Sequence, residues 1–420
     1  MIEVSSVDNV DFNSIDIDSF WNVGEEKEHR SHRFHAYPAK FPAFITQKAL
    51  HYAKQERIDV SNVADIFCGC GTVSFEAKRY GIDFWGCDLN PVAVLIAKAK
   101  SYSYTVKQIA IYEDEILQLF SLGDYDSDCK ELQNKRILYW FSPNTIMHLS
   151  LLKKCILKVV PIKSKYRNYF LCAFSNILKP TSRWLTKSIK PQVDPKKDVA
   201  DVKEAFIKQC EYMKRAIEDA NLKKESKIII KEQNALSIKQ KEKTDLIVTS
   251  PPYVTSYEYA DLHQLSTLWL DFAEDYRELR ENSVGSNHHA FNEEAIMREL
   301  NGSGQQIVNE LRPLDYSKAK AVAKYYYDIQ RISEVCYNLL KKEGMALFVI
   351  GNTEYKGIHV NNAKHLTESL INCGFKKVKI TKRRITGKIL TPYRDPEGRF
   401  SAIATDKKVY GEEFILIGRK

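Results

Sequence analysis

Four consecutive residues that can do chemistry together follow a largely apolar run of the chain (residues 245–248): Ser250, Pro251, Pro252 and Tyr253. The run predicts a buried strand, and the prolines stiffen the turn after it because each fixes φ and lacks an N–H group. The carbonyl groups of Ser250 and Pro251 remain as fixed acceptors at the carboxyl edge of a sheet, where open α/β folds bind ligands. With the ring of Tyr253 beside them, these acceptors suit a planar base that carries an exocyclic amine. An ordinary stiff turn is the alternative interpretation.

A second group of residues has the pattern of a strand, a glycine turn and a helix. It consists of Asp65, Phe67, Gly69, Gly71 and Thr72. The glycines allow the backbone to turn tightly beside a ligand, and the helix that begins at Thr72 has first-turn N–H groups without partners inside the helix. The spacing departs from the Gly-x-Gly-x-x-Gly fingerprint because a third glycine is absent. A turn without a ligand is the alternative.

The next predicted strand (residues 84–87) ends at Asp88, and the helix after it starts at Pro91. Asp88 follows Asp65 at about the twenty-residue offset at which nucleotide-binding α/β units place an acid for a ribose. A carboxylate can accept hydrogen bonds from both hydroxyl groups of a ribose. We therefore expect Asp88 to bind a ribose, and capping of the following helix is a second, compatible role.

These motifs resemble those of the S-adenosylmethionine-dependent amino-methyltransferases of DNA. The Ser-Pro-Pro-Tyr sequence at residues 250–253 resembles their catalytic motif, in a form most similar to the cytosine-N4-specific branch. Residues 65–72 resemble their Asp-x-Phe-x-Gly-x-Gly-Thr cofactor motif. The resemblance implies that the glycine turn holds the methionine end of S-adenosylmethionine. It also implies a base flipped out of double-stranded DNA and stacked on Tyr253, with its amine held by acceptors of Ser250 and Pro251.

Two further segments match the family. Asn234 and Ala235 follow a predicted strand (residues 227–231), where the family places an acid that meets the adenine ring of the cofactor. Asn replaces the acid here, and a loop cap is the alternative role for Asn234. Residues 32–42 are similar to a segment that closes over the methionine part of the cofactor, with a proline-rich brace as the alternative. The positions that carry this match are Tyr37, Pro38, Lys40 and Phe41.

The family implies an α/β fold with a Rossmann-like methyltransferase sheet, which is mostly parallel and is completed by a closing antiparallel hairpin strand. A helical insertion subdomain is added to it. Residues 345–350 predict an apolar strand, and residues 376–380 and 413–417 predict the closing antiparallel pair. The catalytic methyltransferase domain is then expected to comprise residues 29–100 and 225–420.

The helical insertion (residues 101–224) lies where a minimal methyltransferase has one helix, and its apolar residues recur at helical spacing. Residues 151–190 contain many Lys and Arg and no Asp or Glu. Such a basic stretch with interleaved aromatics is typical of a surface that binds nucleic-acid phosphates. The candidate contacts are Lys163, Lys165, Arg167, Lys179, Arg183 and Lys187. The insertion is a candidate target-recognition region; cofactor closure, a partner interface or a merely basic helical hairpin are the alternatives.

Other segments lie outside these motifs. Residues 1–28 are acid-rich and predict a loosely attached arm. A second insertion (residues 272–315) is polar, and residues 285–289 and 302–304 predict mobile loops of a lid or DNA clasp. Two adjacent histidines there lack a third ligand, so we expect no metal site. A basic cluster near the closing hairpin could grip a DNA backbone or form a solvated edge: Lys382, Arg383, Arg384 and Arg394.

The composition limits the kind of protein. A chain of 420 residues with a net charge of +9 allows one or two domains and an acidic partner. The sequence has no apolar stretch of membrane-spanning length and no signal-peptide pattern, and its nine cysteines lack disulfide or zinc spacing. We expect a prokaryotic cytoplasmic enzyme with reduced cysteines and without a membrane or metal. Its cofactor would be S-adenosylmethionine and its partners DNA and a cognate restriction endonuclease.

Three other functions are open from the sequence alone. Methylation of adenine N6 uses the same pocket chemistry, related enzymes methylate RNA or protein amines, and a catalytically silent subunit could bind nucleic acid alone. Ser250 favours cytosine N4, the basic insertion favours a nucleic acid, and the nearly complete cofactor motifs favour an active enzyme.

Overall fold

The structure is a computed structural model that describes residues 1–25, 27–38, 40–220, 222, 225–254, 259–280, 283–285, 291–385 and 411–420. Its strands are β1 (Ile2–Val4), β2 (Asn62–Asp65), β3 (Asp83–Asp88), β4 (Ile228–Glu232), β5 (Thr244–Thr249), β6 (Leu340–Ile350), β7 (Thr353–Tyr355), β8 (Ile358–Val360), β9 (Lys376–Arg384) and β10 (Glu412–Arg419). Its α-helices are α1 (Ala43–Gln55), α2 (Thr72–Arg79), α3 (Pro91–Ser101), α4 (Val106–Leu122), α5 (Lys135–Trp140), α6 (Pro143–Val159), α7 (Lys165–Ile177), α8 (Val202–Ala220), α9 (Tyr259–Leu262), α10 (Gln264–Trp269), α11 (Glu293–Glu299), α12 (Gly302–Leu311), α13 (Tyr316–Leu339) and α14 (Asn362–Asn372).

The larger sheet has the strand order β1-β9-β10-β6-β5-β2-β3-β4. Neighbouring strands from β4 through β3, β2 and β5 to β6 are parallel. By contrast, β10 is antiparallel to both β6 and β9. This is the Rossmann-like methyltransferase architecture expected from the sequence, and β9 and β10 are the closing pair predicted at residues 376–380 and 413–417.

The central strands are apolar on both faces because helices cover the sheet on both sides. In β5, Leu246 and Val248 join the core that α1, α2 and α3 complete, whereas Ile247 joins the core formed with α13 and α14. Successive strand residues point to opposite faces, so a strand buried on both sides reads as an uninterrupted apolar run. The parallel order brings the carboxyl ends of β2 and β5 side by side.

The prediction of a loosely attached arm at residues 1–28 is wrong. Strand β1 pairs with β9, and Ile17 forms a bridge with Lys382. Trp21 is completely buried, and three other apolar residues of the segment join the core: Val7, Phe12 and Ile15. The acidic composition hid these apolar anchors, which supply the burial that fastens the segment to the sheet.

The helical insertion consists of α4 to α8 and shares one core with elements of the catalytic domain. That core also contains Phe34, Cys70 of the glycine turn, and Leu265, Leu268 and Trp269 of α10 and its surroundings. The aromatic residues that interleave with the basic stretch are buried in it: Tyr166, Tyr169, Phe170 and Trp184. The insertion therefore packs directly against the region around the glycine turn.

In the second insertion, the predicted loop at residues 302–304 is instead the first turn of α12. The Asn301 side chain caps this helix by accepting a hydrogen bond from the Gly304 N–H at 2.9 Å. A side chain at Gly304 would crowd His365, because a Cβ there would lie 3.1 Å from a carbon of its ring. Residues 286–289 of the other predicted loop lie outside the described residues. In the part of the chain that the structure describes, no helix is long and apolar enough to cross a membrane.

Candidate active site

The glycine turn (residues 68–71) connects β2 to α2. Gly69 and Gly71 have φ values of +46° and +74°, which favour glycine because other residues rarely adopt them. A Cβ at Gly71 would lie 2.7 Å from the Cβ of Ala97 in α3. The turn is closed by the Gly71 N–H, which donates to the Cys68 carbonyl at 2.7 Å. Helix α2 starts directly afterwards at the buried Thr72, so its amino-terminal N–H groups lie at the carboxyl edge of the sheet.

Asp88 ends β3 beside this turn. One oxygen of its carboxylate accepts from the Gly69 N–H at 2.8 Å, and the other accepts from the Asn90 N–H at 2.9 Å. Burial raises the pKa of Asp88, while these N–H groups lower it. The helix cap of α3 is Asn90, whose side chain accepts from the Val92 N–H at 2.9 Å. Asp88 is therefore bound to the glycine turn, and each oxygen retains acceptor capacity for a ribose hydroxyl.

Asp65 links the strand before the glycine turn to the strand before the Ser-Pro-Pro-Tyr turn (residues 250–253). Its Oδ1 accepts from the Thr249 hydroxyl at 2.7 Å and from the Phe67 N–H at 3.1 Å. Burial raises the pKa of Asp65 to about 7. Sequence reasoning missed this bond of Thr249, because it crosses from β5 to β2 and has no local motif.

Tyr37 lies over the glycine turn, and its closure over the methionine part of the cofactor stays a prediction. A Cβ at Gly69 would lie 3.6 Å from the Tyr37 hydroxyl oxygen. The Tyr37 ring stacks on His263 with ring centroids 4.9 Å apart, and on Tyr259 at 6.4 Å. His263 is 2% exposed, and burial lowers its pKa to about 3. The chain after the Ser-Pro-Pro-Tyr turn therefore returns to cover Tyr37, a contact that sequence reasoning missed.

The other positions of this segment support it. The Lys40 ammonium donates to the Glu28 carboxylate and to the His32 carbonyl, the latter at 3.2 Å. Phe41 packs partly buried beside α1, and Pro38 is half-buried. These contacts fit the brace interpretation of Lys40 and Phe41, and their contact with the cofactor stays a prediction.

Two histidines missed by sequence reasoning fix the same segment from both sides. His32 Nε2 lies 2.7 Å from Glu76 Oε1 of α2, with both side chains completely buried, and its Nδ1 lies 3.5 Å from the Lys100 ammonium. Burial, and then Lys100, lower the pKa of His32 to about 4. His35 Nε2 lies 2.8 Å from the hydroxyl of Ser175 in α7. The segment is thus held between α2 and the helical insertion.

Asn234 follows β4 and has the capping role that was its alternative interpretation. Its Oδ1 accepts from the Leu236 N–H at 2.9 Å and starts a short 3-10 helix that contains the buried Ala235. The neighbouring Gln233 N–H donates to the Asp88 carbonyl at 3.0 Å. Asn234 and Ala235 therefore lie next to the ribose-binding candidate, where an adenine contact stays a prediction.

The Ser-Pro-Pro-Tyr turn is held by bonds to distant strands. The Ser250 hydroxyl donates to the Val349 carbonyl at 2.9 Å; because a carbonyl can only accept, the lone pairs of Oγ remain available as acceptors. The Tyr253 hydroxyl donates to Glu413 Oε1 at 3.1 Å. Burial, and then the Glu413 charge, raise the pKa of Tyr253 well above its usual value. Pro251 is buried and Pro252 is half-buried.

The six predicted phosphate contacts fall into two groups. Lys163, Lys165 and Lys187 are exposed, as is Arg183 of the second group. The other three donate to backbone carbonyls: Arg167 to Val160 at 2.9 Å, Lys179 to Ser188 at 2.8 Å, and Arg183 to Tyr139 at 2.7 Å. The donors of the second group therefore close helix and loop ends within the insertion, and a phosphate role for these three stays a prediction.

Two residues of the basic cluster predicted near the closing hairpin are buried, not on the surface. Lys382 and Arg383 are 7% and 4% exposed, so they are neither a solvated edge nor a surface that grips DNA. The Lys382 ammonium donates to the Asn13 carbonyl, and the Arg383 guanidinium contacts the Glu413 carboxylate. These partners compensate the cost of burying the two charges. Arg384 is exposed, and Arg394 lies outside the described residues.

The cysteines and acids do not form a metal site in the described residues. Each of the nine cysteines is a free thiol, and eight are buried. Within the described ranges, no group of three or more His, Cys, Asp or Glu side chains could hold a metal ion. We expected the adjacent His288 and His289 not to bind a metal, and both lie outside the described ranges.

The chain is similar to known methyltransferases. A family model described as DNA methylase (N6/N4 methyltransferases) matches residues 4–99. The type II methyltransferase M.MvaI of Kocuria varians is 24% identical, over 83% of this chain and 82% of the relative. The type II methyltransferase M.BsoBI of Geobacillus stearothermophilus is 22% identical, over 84% of this chain and 80% of the relative.

Two solved structures of the rRNA methyltransferase aviRa from Streptomyces viridochromogenes are also similar, at 8% and 10% identity. Each match covers 96% of this chain and 93% of that chain, with TM-scores of 0.30 and 0.32. Similarity this low carries no weight for the fold or the substrate.

The glycine turn, the carboxylate of Asp88 and the ring of Tyr37 lie together at the carboxyl edge of the sheet, and the similarity to methyltransferases implies S-adenosylmethionine as the methyl donor. The acceptors of the Ser-Pro-Pro-Tyr turn lie at the next strand end. The family model and the two relatives together support an S-adenosylmethionine-dependent amino-methyltransferase of DNA.

Proposed function

We propose that the protein methylates the exocyclic N4 amine of cytosine at specific sites in double-stranded DNA, with the target base rotated out of the helix. The observation that carries this proposal is the Ser250 hydroxyl, which donates to Val349 and so presents its oxygen as an acceptor. A hydroxyl held in this way can accept a hydrogen bond from an amine, as methylation of an amine requires. The type II designation of both relatives supports a restriction-modification role with a cognate endonuclease as partner.

On the cofactor side, S-adenosylmethionine supplies a methyl group on a positively charged sulfur. Asp88 would accept hydrogen bonds from its ribose hydroxyls, and the N–H groups at the start of α2 would face its carboxylate. Tyr37 would cover its methionine part, supported from behind by His263. Phe67, Asn234 and the other predicted contacts would line the rest of this side.

On the target side, Tyr253 would stack on the base, and Ser250 Oγ and the Pro251 carbonyl would accept the two hydrogens of the amine. These bonds turn the nitrogen lone pair toward the methyl group, and the proton leaves to solvent after transfer. No nucleophilic side chain is required, so the rate gain comes from positioning and from dipoles fixed in advance. Bases must leave the duplex for such chemistry because their amines are out of reach when stacked.

We also propose that the helical insertion serves cofactor closure rather than target recognition. The core that it shares with Phe34, Cys70 and Trp269 supports this interpretation. So does the bond from the Ser175 hydroxyl of α7 to the Ser266 hydroxyl of α10 at 2.7 Å. DNA recognition then belongs to other parts of the catalytic domain, with the second insertion (residues 272–315) as the candidate region.

The test is chemical identification of the product. Unmethylated DNA is incubated with the protein and isotopically labelled S-adenosylmethionine, digested to nucleosides and analysed by mass. We expect labelled N4-methyl-2′-deoxycytidine; labelled N6-methyl-2′-deoxyadenosine would replace cytosine by adenine as the target. Label in RNA but not in DNA, or no labelled nucleoside at all, would overturn the proposal.

A further inference from the structure

The base-stacking candidate Tyr253 is bonded to a residue far along the chain. Its hydroxyl donates to Oε1 of Glu413, which lies 160 residues later, near the start of β10. A tyrosine ring has only two side-chain torsions, so a bond at its far end fixes the direction of the ring. The raised pKa of Tyr253 keeps the hydroxyl protonated as the donor in this bond.

Glu413 is itself held by Arg383. The two residues are directly opposite each other in the β9–β10 pair, and the Arg383 guanidinium contacts the second carboxylate oxygen, Oε2. The Arg383 side chain is 5% exposed and that of Glu413 is 17% exposed. Arg383 also lies over the Phe44 ring, 5.5 Å from its centroid. The carboxylate therefore has a fixed partner on each oxygen.

Gly351 provides the space for this contact. Phe414 is paired with Ile350 in the β6–β10 register, so the next position of the antiparallel ladder puts Glu413 opposite Gly351. A Cβ at Gly351 would lie 3.0 Å from Cε2 of Tyr253. The ring thus lies against a backbone that has no side chain, and this lets its hydroxyl reach Glu413.

We propose that Glu413, Arg383 and Gly351 are positioning residues that fix the Tyr253 ring to receive the target base. This inference rests on the proposed function, because it assigns a role to the ring that the function requires. Arg383, which the sequence suggested as a DNA contact, acts here through Glu413 instead. Fixing the ring before the base arrives lowers the cost of ordering it during the reaction.

A double-mutant cycle tests this proposal. Tyr253→Phe removes only the hydroxyl, and Glu413→Ala removes its acceptor; both are made singly and together in the full chain. Single-turnover transfer of labelled methyl to unmethylated DNA, cofactor affinity by calorimetry and Tm are measured for each. The matched control is Tyr52→Phe. It also removes one tyrosine hydroxyl, which in the wild type accepts from Lys379 at 3.0 Å at the opposite end of β9.

We expect Tyr253→Phe to slow methyl transfer about 5- to 20-fold with unchanged cofactor affinity, and Tyr52→Phe to leave it unchanged. Glu413→Ala should slow transfer in the wild-type background and add little to Tyr253→Phe, because both changes remove one interaction. A wild-type rate for Tyr253→Phe overturns the inference, as does an equal slowing by Glu413→Ala in both backgrounds, which would indicate only a structural pair with Arg383. If Tyr253→Ala also transfers methyl normally, the proposed function itself fails.

Discussion

The proposed site has a cofactor half (the glycine turn and Asp88) and a target half (the Ser-Pro-Pro-Tyr turn and Glu413). The two halves differ in how far apart along the chain their bonded residues lie. Gly69 and Asp88, which are bonded in the cofactor half, are 19 residues apart. Tyr253 and Glu413, which are bonded in the target half, are 160 residues apart. The cofactor half needs only β2 and β3 to pair, whereas the target half needs the sheet to be completed through β10.

One buried bond joins the two halves. The Thr249 hydroxyl, one residue before the Ser-Pro-Pro-Tyr turn, donates to Asp65, three residues before the glycine turn. Changes in either half should therefore affect one function and spare the other, unless they reach this bond. The predictions below use that separation.

The largest effect is expected in the cofactor half, from Asp88→Asn. Both carboxylate oxygens accept backbone N–H groups, from Gly69 and Asn90, so an amide must turn its NH2 group toward one of those donors. We expect affinity for S-adenosylmethionine to fall about 100-fold by calorimetry. Asp83→Asn is the matched control at the other end of β3, where one carboxylate oxygen accepts from the Lys227 N–H and an amide oxygen can replace it. Equal affinities for the two variants would contradict the role of Asp88.

An intermediate effect is expected at the bond between Thr249 and Asp65, where the free energy of unfolding should depend on pH. The pKa of Asp65 is raised from 3.8 to about 7 in the folded protein, so the folded state holds the proton more strongly than the unfolded chain. Stability should fall as pH rises between these values, by about 2 kcal/mol from pH 5 to pH 7. Asp65→Asn keeps the Oδ1 acceptor for Thr249 and cannot titrate. Urea unfolding should show a flatter pH profile for this variant, and parallel profiles would contradict the assignment.

The smallest effect is expected in the target half, from Gly351→Ala. The added methyl group would lie 3.0 Å from the Tyr253 ring, so the ring must shift by a few tenths of an ångström. We expect methyl transfer to slow about 10-fold while cofactor affinity is unchanged. Gly24→Ala is the control, because a Cβ there meets nothing within 4 Å. A loss of cofactor affinity in Gly351→Ala would contradict the independence of the two halves.

The same difference explains what the sequence could predict. The glycine turn, Asp88 and the positions of the central strands along the chain were predictable because each is a local pattern of residue types. Ser250 and Tyr253 were also found locally, but their partners Val349 and Glu413 carry no motif of their own. Such partners are determined by strand register, which a single sequence does not specify at this range.

Charge was the least reliable guide in the sequence. The acidic residues 1–28 suggested a loose arm, yet a few apolar side chains such as Trp21 anchor the segment. Basic residues suggested DNA contacts, yet Arg167 and Arg383 are bonded within the protein. Composition counts charges without their partners, and the partners decide whether a charge faces solvent, a ligand or the chain itself.

The measurement that tests the central assignment most directly is Tyr253→Ala, with cofactor binding and methyl transfer measured on the same preparation. If Tyr253 belongs to the target half, S-adenosylmethionine should bind with wild-type affinity by calorimetry. Labelled methyl transfer to DNA should fall about 30-fold, because the base loses its stacking partner. Wild-type transfer, with cofactor binding unchanged, would contradict the assignment of the Ser-Pro-Pro-Tyr turn as the place where the target base is held.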